Sequence, residues 1–414
     1  MSQEIIANQS SGEKFFTKPL LIIFLTILID LLGFGIVIPL LTFYAEEFQA
    51  TPLDIGFLVA SYSLMQFLFA PILGAWSDKI GRRPILFFSI IGSGIGYLMI
   101  GFAGSLWMIY AGRILGGITG ANLSTAQAYI ADVTTRENRA KGMGLFGMAF
   151  GLGFMFGPAL AGVLSGFGHH VPFVFAAGLS FFNAILLFFL LPESRKFTEY
   201  VAERKNRFLE MFDSLKDSRF TILTIEYFLL VTAFSMMTTA FAYYTMHNFG
   251  YNAAQTGYIL FYVGAMAVVM QGGLFGILSK KFGEANLAIF GCFLLTITFV
   301  FVPFISKDYG GLVGLLIGAG CFAVGNSMAS PSLTSLASKN AEETEQGKAL
   351  GIMQSGASLA RVIGPLLCGF LLNNAFNQVD DFTLKRNYWT AAIIMFIAVL
   401  VAIYYLKTKS EQPA

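Results

Sequence analysis

Twelve long apolar segments, separated by short polar ones, constrain this chain more than any other feature of its sequence. A helix needs about 20 apolar residues to cross the roughly 30 Å hydrocarbon core of a bilayer, and each segment meets that length. The sequence therefore predicts twelve membrane-spanning helices. They lie near residues 19–44, 55–76, 84–104, 106–131, 140–165, 171–192, 219–247, 254–279, 285–305, 309–335, 346–373 and 387–407.

The composition agrees with this prediction. Hydrophobic residues make up 56% of the 414 and charged residues only 12%, a balance that no water-soluble domain of this size tolerates on its surface. The three cysteines all lie inside apolar segments, where they are typical small core residues, so no disulfide framework is indicated. We expect an integral membrane protein without a metal or another cofactor.

The distribution of lysine and arginine predicts the orientation of the helices. If the first helix enters from the cytosol, the cytosolic segments hold 21 of the 26 Lys and Arg residues. The outer loops then hold only Lys307, Lys385 and Arg386. Because cytosolic loops carry such an excess, we expect a multi-pass protein of the inner (plasma) membrane with both termini in the cytosol.

The longest loop, 193–218, carries twelve charged residues and separates two sets of six segments. Apolar residues recur in it at near-helical spacing, which predicts either a helix on the membrane surface or a solvated linker. The expected organisation is a tail at 1–18, a six-helix bundle at 19–192, the central loop, a second bundle at 219–407 and a tail at 408–414.

The two halves repeat each other. Gly74-Ala-Trp-Ser-Asp-Lys-Ile-Gly81 is followed 202 residues later by Gly276-Ile-Leu-Ser-Lys-Lys-Phe-Gly283. Gly157-Pro-Ala-Leu-Ala-Gly162 is followed 207 residues later by Gly364-Pro-Leu-Leu-Cys-Gly369. Such symmetry is typical of transporters whose two six-helix halves are related by a pseudo-twofold axis along the membrane normal.

The loop between the second and third segments resembles the signature loop of the major facilitator superfamily, in particular of its drug:proton antiporters. The matching residues are Gly74, Asp78, Gly81, Arg82 and Arg83. The resemblance covers essentially the whole chain and is strongest over residues 25–165. It implies an all-α integral membrane fold of twelve transmembrane helices in two pseudo-symmetric six-helix bundles.

The resemblance also implies gating roles for three charged residues. In relatives, the acid corresponding to Asp132 pairs with the arginine corresponding to Arg82 when the inner gate is shut. The loop acid corresponding to Asp78 then faces the cytosolic start of the eleventh helix. A solvated surface charge is the alternative for Asp132.

Asp30 lies near the middle of the first segment. A central acid costs roughly 2.5 to 3.5 kcal/mol on insertion scales, whereas each surrounding Leu, Ile or Phe gains only about 0.3 to 0.6. This cost makes Asp30 a candidate carrier of the coupling proton, and a structural acid paired with a neighbouring helix is the alternative. Tetracycline exporters are similar here, with an acid ahead of a glycine pair and a proline.

The fourth segment holds further candidates. Its only cation in the membrane, Arg113, lies roughly 10 Å below the outer surface. The resemblance implies a part in proton transfer for Arg113, with snorkelling to the outer headgroups as the alternative. Asn122 and Gln127 are predicted either to line the substrate cavity or to serve close helix packing.

The fifth segment contains glycines at intervals of four together with the pair Gly157-Pro158, features that allow close packing and a bend. This pattern resembles the antiporter motif, which uptake members of the superfamily generally lack. It implies gating roles for Gly157 and Pro158 and favours export over import. A simple packing face is the alternative.

Four more polar residues are predicted to contact substrate. Glu226 and Arg361 lie at depths of roughly 11 and 22 Å from the cytosolic ends of their helices, which argues against a direct ion pair. Hydration near the inner headgroups is the alternative for Glu226. The other two are Gln66, which matches a glutamine of the tetracycline exporters, and Gln271.

The combined prediction is a proton-coupled antiporter, not an enzyme, that exports small amphiphilic compounds or drugs by alternating access. We expect a monomer whose partners are substrate, protons and lipid, with no nucleic acid. A proton-coupled symporter that imports a small nutrient or metabolite is the alternative.

Two positions, Gly96 and Ala267, narrow the predicted substrate class. Tetracycline itself is not expected as the substrate, because its exporters carry an acid in the third helix where this chain has Gly96. They also carry a histidine in the eighth helix where this chain has Ala267.

The adjacent pair His169-His170 is expected to be solvated, because the two residues are too close for ordinary chelation without further ligands.

Overall fold

The computed structural model describes residues 17–134, 139–194, 218–340 and 346–410. The described residues form α-helices joined by short turns and no β-strand. Most of both predicted tails and of the central loop lies outside these ranges, as does the amphipathic pattern in that loop. We use "first half" for residues 18–194 and "second half" for residues 218–410.

Fourteen helices make up the two halves. The first half contains α1 (Lys18–Glu46), α2 (Pro52–Ile80), α3 (Arg82–Gly101), α4 (Leu106–Thr119), α5 (Leu123–Val133), α6 (Arg139–Ser165) and α7 (Val171–Leu190). The second half contains α8 (Ser218–Phe249), α9 (Ala253–Val269), α10 (Phe275–Phe282), α11 (Glu284–Phe301), α12 (Gly311–Asn340), α13 (Gln346–Leu372) and α14 (Asp381–Ser410).

Eleven helical stretches in the described residues are long and apolar enough to cross a membrane. The predicted fourth span is the exception, because a 3₁₀ turn at Gly120–Asn122 divides it into α4 and α5. The two pieces run on directly from each other, as α9 and α10 do across a π-helical turn at Met270–Leu274. The all-α membrane fold is thus confirmed, and the count of twelve crossings depends on this divided fourth span.

Matching signals start the second helix of each half. Thr51 and Asp54 form a capping box at the start of α2, with N–H to oxygen distances of 2.9 and 3.2 Å. Asn252 and Gln255 do the same at the start of α9, at 3.0 and 3.1 Å. Both boxes satisfy backbone N–H groups that a helix leaves unpaired. The sequence repeat is therefore also a repeat of local structure.

Large apolar side chains cover the outside of the bundle. Phe88, Trp107 and Phe189 are 66%, 81% and 75% exposed. A soluble protein rarely presents so much apolar surface, so these side chains belong in contact with lipid. The chain is a multi-pass membrane protein.

The bundle has two different ends. The closed end carries the turns at 47–51, 102–105, 166–170, 250–252, 305–310 and 373–380. The open end carries the turns at 81 and 283 and the described helix ends near 134 and 340. These names reflect how closely the two halves approach at each end.

Candidate functional site

A polar cluster lies inside the first half, where α4 gives way to α5. Asp30 on α1 is half-buried, and its Oδ2 lies 3.5 Å from Nδ2 of Asn122, the last residue of the 3₁₀ turn. Asn122 is only 3% exposed, and its Oδ1 has no hydrogen-bond partner among the described residues. The break in the fourth span therefore places an amide beside the predicted coupling acid, with a spare acceptor next to it.

Arg113 is buried and contacts α2 rather than the membrane surface. Its guanidinium carbon lies 4.4 Å from the ring centroid of Tyr62, and its Nε donates to the carbonyl oxygen of Leu58 at 3.3 Å. Within residues 17–134, no carboxylate lies at ion-pair distance from Arg113. A cation–π contact therefore holds this cation close to the acid's neighbours without neutralising it. Snorkelling does not occur in this conformation.

Helix α2 rests directly on the break in the fourth span. Nε2 of Gln66 donates to the carbonyl oxygen of Gly120 at 2.9 Å. A Cβ added to Gly120 would lie 2.3 Å from the hydroxyl of Tyr62, so a larger residue there would displace the Tyr62 side chain. The contact replaces a helical hydrogen bond that the 3₁₀ turn gives up. Tyr62 was missed in the sequence, although it stands one helical turn before Gln66.

The third helix approaches the cluster through a second tyrosine that the sequence analysis missed. A Cβ on Gly33 would lie 3.1 Å from the buried ring of Tyr97. Gly96, which precedes Tyr97 in the sequence, packs against α4, where an added Cβ would lie 2.9 Å from the carbonyl oxygen of Gly112. This contact gives a physical reason why an acid does not fit at Gly96.

The predicted residues of the second half lie apart from one another. Glu226 is 1% exposed, and its Oε1 lies 4.0 Å from Sγ of Cys292 within the core of that half. Arg361 is half-buried; one Nη2 contact joins it to Ser358 at 3.2 Å, and its Nε has no partner among the described residues. A substrate contact by Glu226 stays a prediction, since the core encloses its side chain in this conformation.

The two remaining glutamines differ in their surroundings. Gln271 is exposed on the π-helical turn, and its Nε2 donates to Oγ of Ser327 on α12 at 3.4 Å. Gln127 is half-buried on α5. Gln271 is therefore accessible in this conformation, whereas Gln127 is partly enclosed by the first half.

At the open end, Arg82 joins three helices. Its Nη1 lies 2.7 Å from Asp78 and 2.6 Å from Oγ of Ser77, and its Nε lies 3.2 Å from Asp132. Asp132 is partly exposed but paired. The pair expected for a shut inner gate is thus formed while this end is open, and it lies wholly within the first half. It therefore does not by itself join the two halves, and the gating role of these residues stays a prediction.

Glu193 completes this arrangement and was missed in the sequence. Its carboxylate accepts the backbone N–H groups of Arg82 at 2.9 Å and Arg83 at 3.1 Å, at the start of α3. The positive end of the helix dipole disfavours a cation at that position, and Glu193 offsets this cost. The next residue, Ser194, donates to Asp132 at 3.1 Å. The entry to the central loop is therefore bonded to the signature loop.

The second half has the same arrangement with the charges exchanged. Glu284 begins α11, and its Oε1 lies 2.7 Å from Nζ of Lys339 and 2.7 Å from Oγ of Ser335. Glu284 follows Arg82 by 202 positions and Lys339 follows Asp132 by 207, the same offsets as in the sequence repeats. The pair is therefore the charge-inverted counterpart of Arg82 and Asp132.

At the closed end, α2 and α13 join the halves through glycines. A Cβ added to Gly56 would lie 2.6 Å from the carbonyl oxygen of Pro365 and 3.0 Å from Cα of Gly369. A Cβ added to Gly369 would meet Cα of Gly56 at 3.1 Å. We call this backbone contact the first lock.

The second lock joins α6 and α9 in the same way. A Cβ added to Gly257 would lie 2.4 Å from the carbonyl oxygen of Pro158 and 3.2 Å from Cα of Gly162. Gly56 and Gly257 are related by the sequence repeat, as are Gly162 and Gly369. The predicted gating residue Gly157 faces elsewhere, since its Cβ would lie 2.7 Å from Gly35 on α1.

The helices of both locks diverge toward the open end. On α6, a Cβ at Gly151 would still lie 3.7 Å from Val268, but one at Gly147 meets no described atom within 4 Å. The same holds for Gly272 beyond α9 and for Gly351 on α13. The structure is therefore closed at one end and open at the other.

Comparison with known proteins agrees with this architecture. The family model described as Major Facilitator Superfamily matches residues 23–365 and 309–414. "Tetracycline resistance protein, class H" of Pasteurella multocida is 31% identical and covers 96% of this chain and 98% of its own length. "Multidrug resistance protein 2" of Bacillus subtilis is 27% identical, with coverage of 96% and 98%.

A solved structure shares the fold. A bacterial homologue of the human lysosomal transporter Spinster, described as inward-facing and unoccupied, superposes with a TM-score of 0.79 at 15% identity. The match covers 96% of this chain and 99% of that protein.

Proposed function

The chain belongs to the major facilitator superfamily, and on that premise we propose that it is a proton-coupled antiporter that exports small amphiphilic compounds by alternating access. The observation that carries the proposal is the place of Asp30. Its carboxylate lies at the break in the fourth span, beside Asn122. Arg113 and Tyr62 contact each other on the helices α4 and α2 of the same half. A membrane-embedded acid in such a setting indicates a proton pathway.

The names of the relatives support export over import. Proteins named for tetracycline resistance and multidrug resistance match this chain over nearly its whole length. The glycine motif of the fifth span is part of the second lock, the kind of feature expected of an antiporter. Gly96 has no space for the acid that tetracycline exporters carry, so we propose amphiphilic compounds other than tetracycline.

We propose that the open end faces the cytosol and that the two locks form the outer gate. Lys79, Lys280 and Lys339 all lie at the open end, as the excess of positive charge in cytosolic loops requires. Cysteine scanning tests this orientation. Glu46→Cys should react with an impermeant thiol reagent added outside sealed cells, and Lys79→Cys should not; the reverse result would invert the assignment.

In this scheme, Arg82, Asp132 and Asp78 act in the inner gate. Asp30 carries the coupling proton, and Arg113 takes part in its transfer. Substrate enters from the open end and contacts Gln66, Asn122, Gln127, Gln271 and Arg361 in the cavity. The partners are the substrate, protons and lipid, and a single chain provides both halves of the pathway.

The test uses proteoliposomes with an imposed pH gradient. A panel of amphiphilic compounds, with tetracycline included, is added to vesicles that contain the wild-type chain or Asp30→Asn. In antiport, each compound that crosses the membrane is exchanged for protons that move in the opposite direction. Movement of substrate and protons in the same direction would establish the symporter instead, and transport that ignores the pH gradient would end the proposal.

A further inference from the structure

A continuous series of aromatic rings runs from the open end to the polar cluster. Phe146, Phe150 and Phe154 stand one helical turn apart on α6, with centroid distances of 6.3 and 5.0 Å. Phe150 and Phe154 are stacked at 18°. Phe154 then contacts Phe34 on α1 at 6.0 Å, and Phe34 contacts Tyr62 at 5.3 Å. We call these five rings the aromatic ladder.

The ladder faces the space between the halves. On α6, Gly153 and Gly157 pack against α1, whereas Pro158 and Gly162 pack against α9. At 100° per residue, Phe150 and Phe154 lie in the sector between these two contacts, whereas Phe146 lies on the α1 side. Phe146 and Phe150 each rest one side on the core of the first half. The opposite sector of the helix holds Phe156 and Val163, which are 44% and 51% exposed and face lipid.

The rings are also accessible. Phe34, Phe146, Phe150 and Phe154 are all half-buried, so each presents part of its surface. The same stretch of α6 has no close partner from the second half, since a Cβ at Gly147 meets no described atom within 4 Å. A ligand entering from the open end therefore meets ring faces first.

The inner end of the ladder shows what the rings can hold. The planar guanidinium group of Arg113 lies over Tyr62, with 4.4 Å between the guanidinium carbon and the ring centroid. Phe34 stands one turn after Asp30 on α1, so the last rings border the acid. Tyr62 itself is buried beneath Arg113, so Phe34 is the innermost ring with an accessible surface.

We propose that the aromatic ladder is the substrate-binding path for compounds with a planar aromatic ring system. This inference rests on the proposed export function and narrows its substrate class. Aromatic pairs prefer offset-stacked or edge-to-face contacts with centroids 4.5 to 7 Å apart. The spacing of the ladder rings matches that range. A planar ring of the substrate can therefore leave one ladder ring and contact the next as it moves inward.

The test compares two cations in purified protein. Ethidium has a planar aromatic ring system, and dodecyltrimethylammonium carries the same charge without a ring. Binding of each is measured by titration calorimetry in the wild type, in Phe150→Leu with Phe154→Leu, and in the ring-retaining pair Phe150→Tyr with Phe154→Tyr. Phe182→Leu, at a ring that is 56% exposed on α7, serves as the matched control.

We expect the double leucine variant to bind ethidium about tenfold more weakly, because two stacking contacts are lost. Its affinity for dodecyltrimethylammonium should change less than twofold. The tyrosine pair and Phe182→Leu should bind both ligands like the wild type. Equal losses for both cations in the leucine variant, or an unchanged affinity for ethidium, would overturn the proposal.

The outcome is distinguishable from failure of the export function. Proton-coupled transport of any compound in the panel establishes the function whether or not the ladder matters. Binding that depends on the ladder, with no compound transported against a gradient, would support the binding path and refute the antiporter. Thermal melting of each variant checks that reduced binding does not reflect unfolding.

Discussion

The two halves of the protein share a backbone plan but differ in what they place at corresponding positions. Arg113 in the first half corresponds, at the 207-residue offset, to Gly320 in the second. There, a Cβ would lie 2.8 Å from the hydroxyl of Tyr262. Where the first half holds a buried cation and an acid, the second holds a small, partly open cavity of about 30 Å³ lined almost entirely by apolar side chains such as Phe241, Phe299 and Phe322.

The features that both halves keep are contacts of the scaffold. Gln66 donates to Gly120 in the 3₁₀ turn after α4, and Gln271 donates to Ser327 on α12, at nearly the same offset. The two glycine locks match as well. The shared contacts therefore belong to the fold of each half, whereas Asp30 and Arg113, the predicted coupling residues, occur only in the first half.

The largest effect should come from Asp30, which has no counterpart in the second half. One pH unit and 100 mV together sustain a substrate gradient of roughly 500-fold for electrogenic exchange of one proton. Asp30→Asn should abolish this accumulation and spare downhill exchange. Uptake into inside-out vesicles, with and without a proton gradient, measures both. Equal losses for Glu226→Gln would show that coupling is shared between the halves.

The second largest effect, overpacking of the glycine contacts, should be equal at the first and second locks. Gly56→Ala and Gly257→Ala each put a methyl group against a proline carbonyl, and overpacking of this kind costs about 1 to 3 kcal/mol. The closed-end state should lose about 5- to 150-fold in population. Paired spin labels across each lock report it. Gly178→Ala, which meets nothing within 4 Å, is the control; a strong effect at only one lock would break the symmetry.

A smaller effect should differ between the two repeat loops at the open end, which contain Asp78 and Lys280. Asp78 can meet the start of α13 when that end closes, where a negative charge gains about 0.3 to 1 kcal/mol from the helix dipole. Asp78→Asn should therefore raise the open population by roughly two- to fivefold. Lys280→Gln, at the repeat position, should be nearly silent. Distances between labels on α2 and α13 decide this, and equal shifts would contradict an asymmetric gate.

The smallest effect concerns the last turn at the closed end. The N–H of Thr383 donates to Asp380 at 2.7 Å, and this hydrogen bond holds the pKa of Asp380 below its usual range. A lowered pKa stabilises the fold above the unfolded value of about 3.9, and this contribution is lost as pH falls through the folded value. His170, at the start of α7, makes no side-chain cap.

Hydrogen exchange at neutral and acidic pH measures the effect at Asp380. The first turn of α14 should lose protection as pH falls below about 4, while the first turn of α7 should not change. Asp380→Asn should remove the pH dependence. An equal change at both helix starts would show that the capping carboxylate is not responsible.

Much of the fold was predictable because hydropathy is local. The predicted segment 55–76 is observed as Pro52–Ile80 and the segment 387–407 as Asp381–Ser410. The helices are longer than the predictions because polar ends such as Asp381 continue them beyond the apolar core. The break at Gly120 escaped prediction, since its carbonyl oxygen is bonded to Gln66, which lies 54 residues away in the sequence.

The same limit applies to the site. Residue types and family resemblance were sufficient to select Asp30, Arg113 and Arg82, and their roles stay predictions. Glu193 escaped notice because its contact with Arg82 spans 111 residues and joins backbone to side chain. The spacing of Phe146, Phe150 and Phe154 was visible in the sequence, but only the fold shows which side of α6 they face. His169, expected to be solvated, is exposed and contacts Glu47.

The locks have a consequence for the speed of the transport cycle. At the centre of each lock, glycine Cα atoms lie against a proline carbonyl, so parting the halves at that point frees no side chain. Reordering a long side chain costs up to about 2 kcal/mol of conformational entropy, and glycine has none to reorder. Side chains meet only beside this point, as Phe156 and Phe261 do next to the second lock. The centre of the closed end can therefore part and rejoin without any side chain there having to change its rotamer.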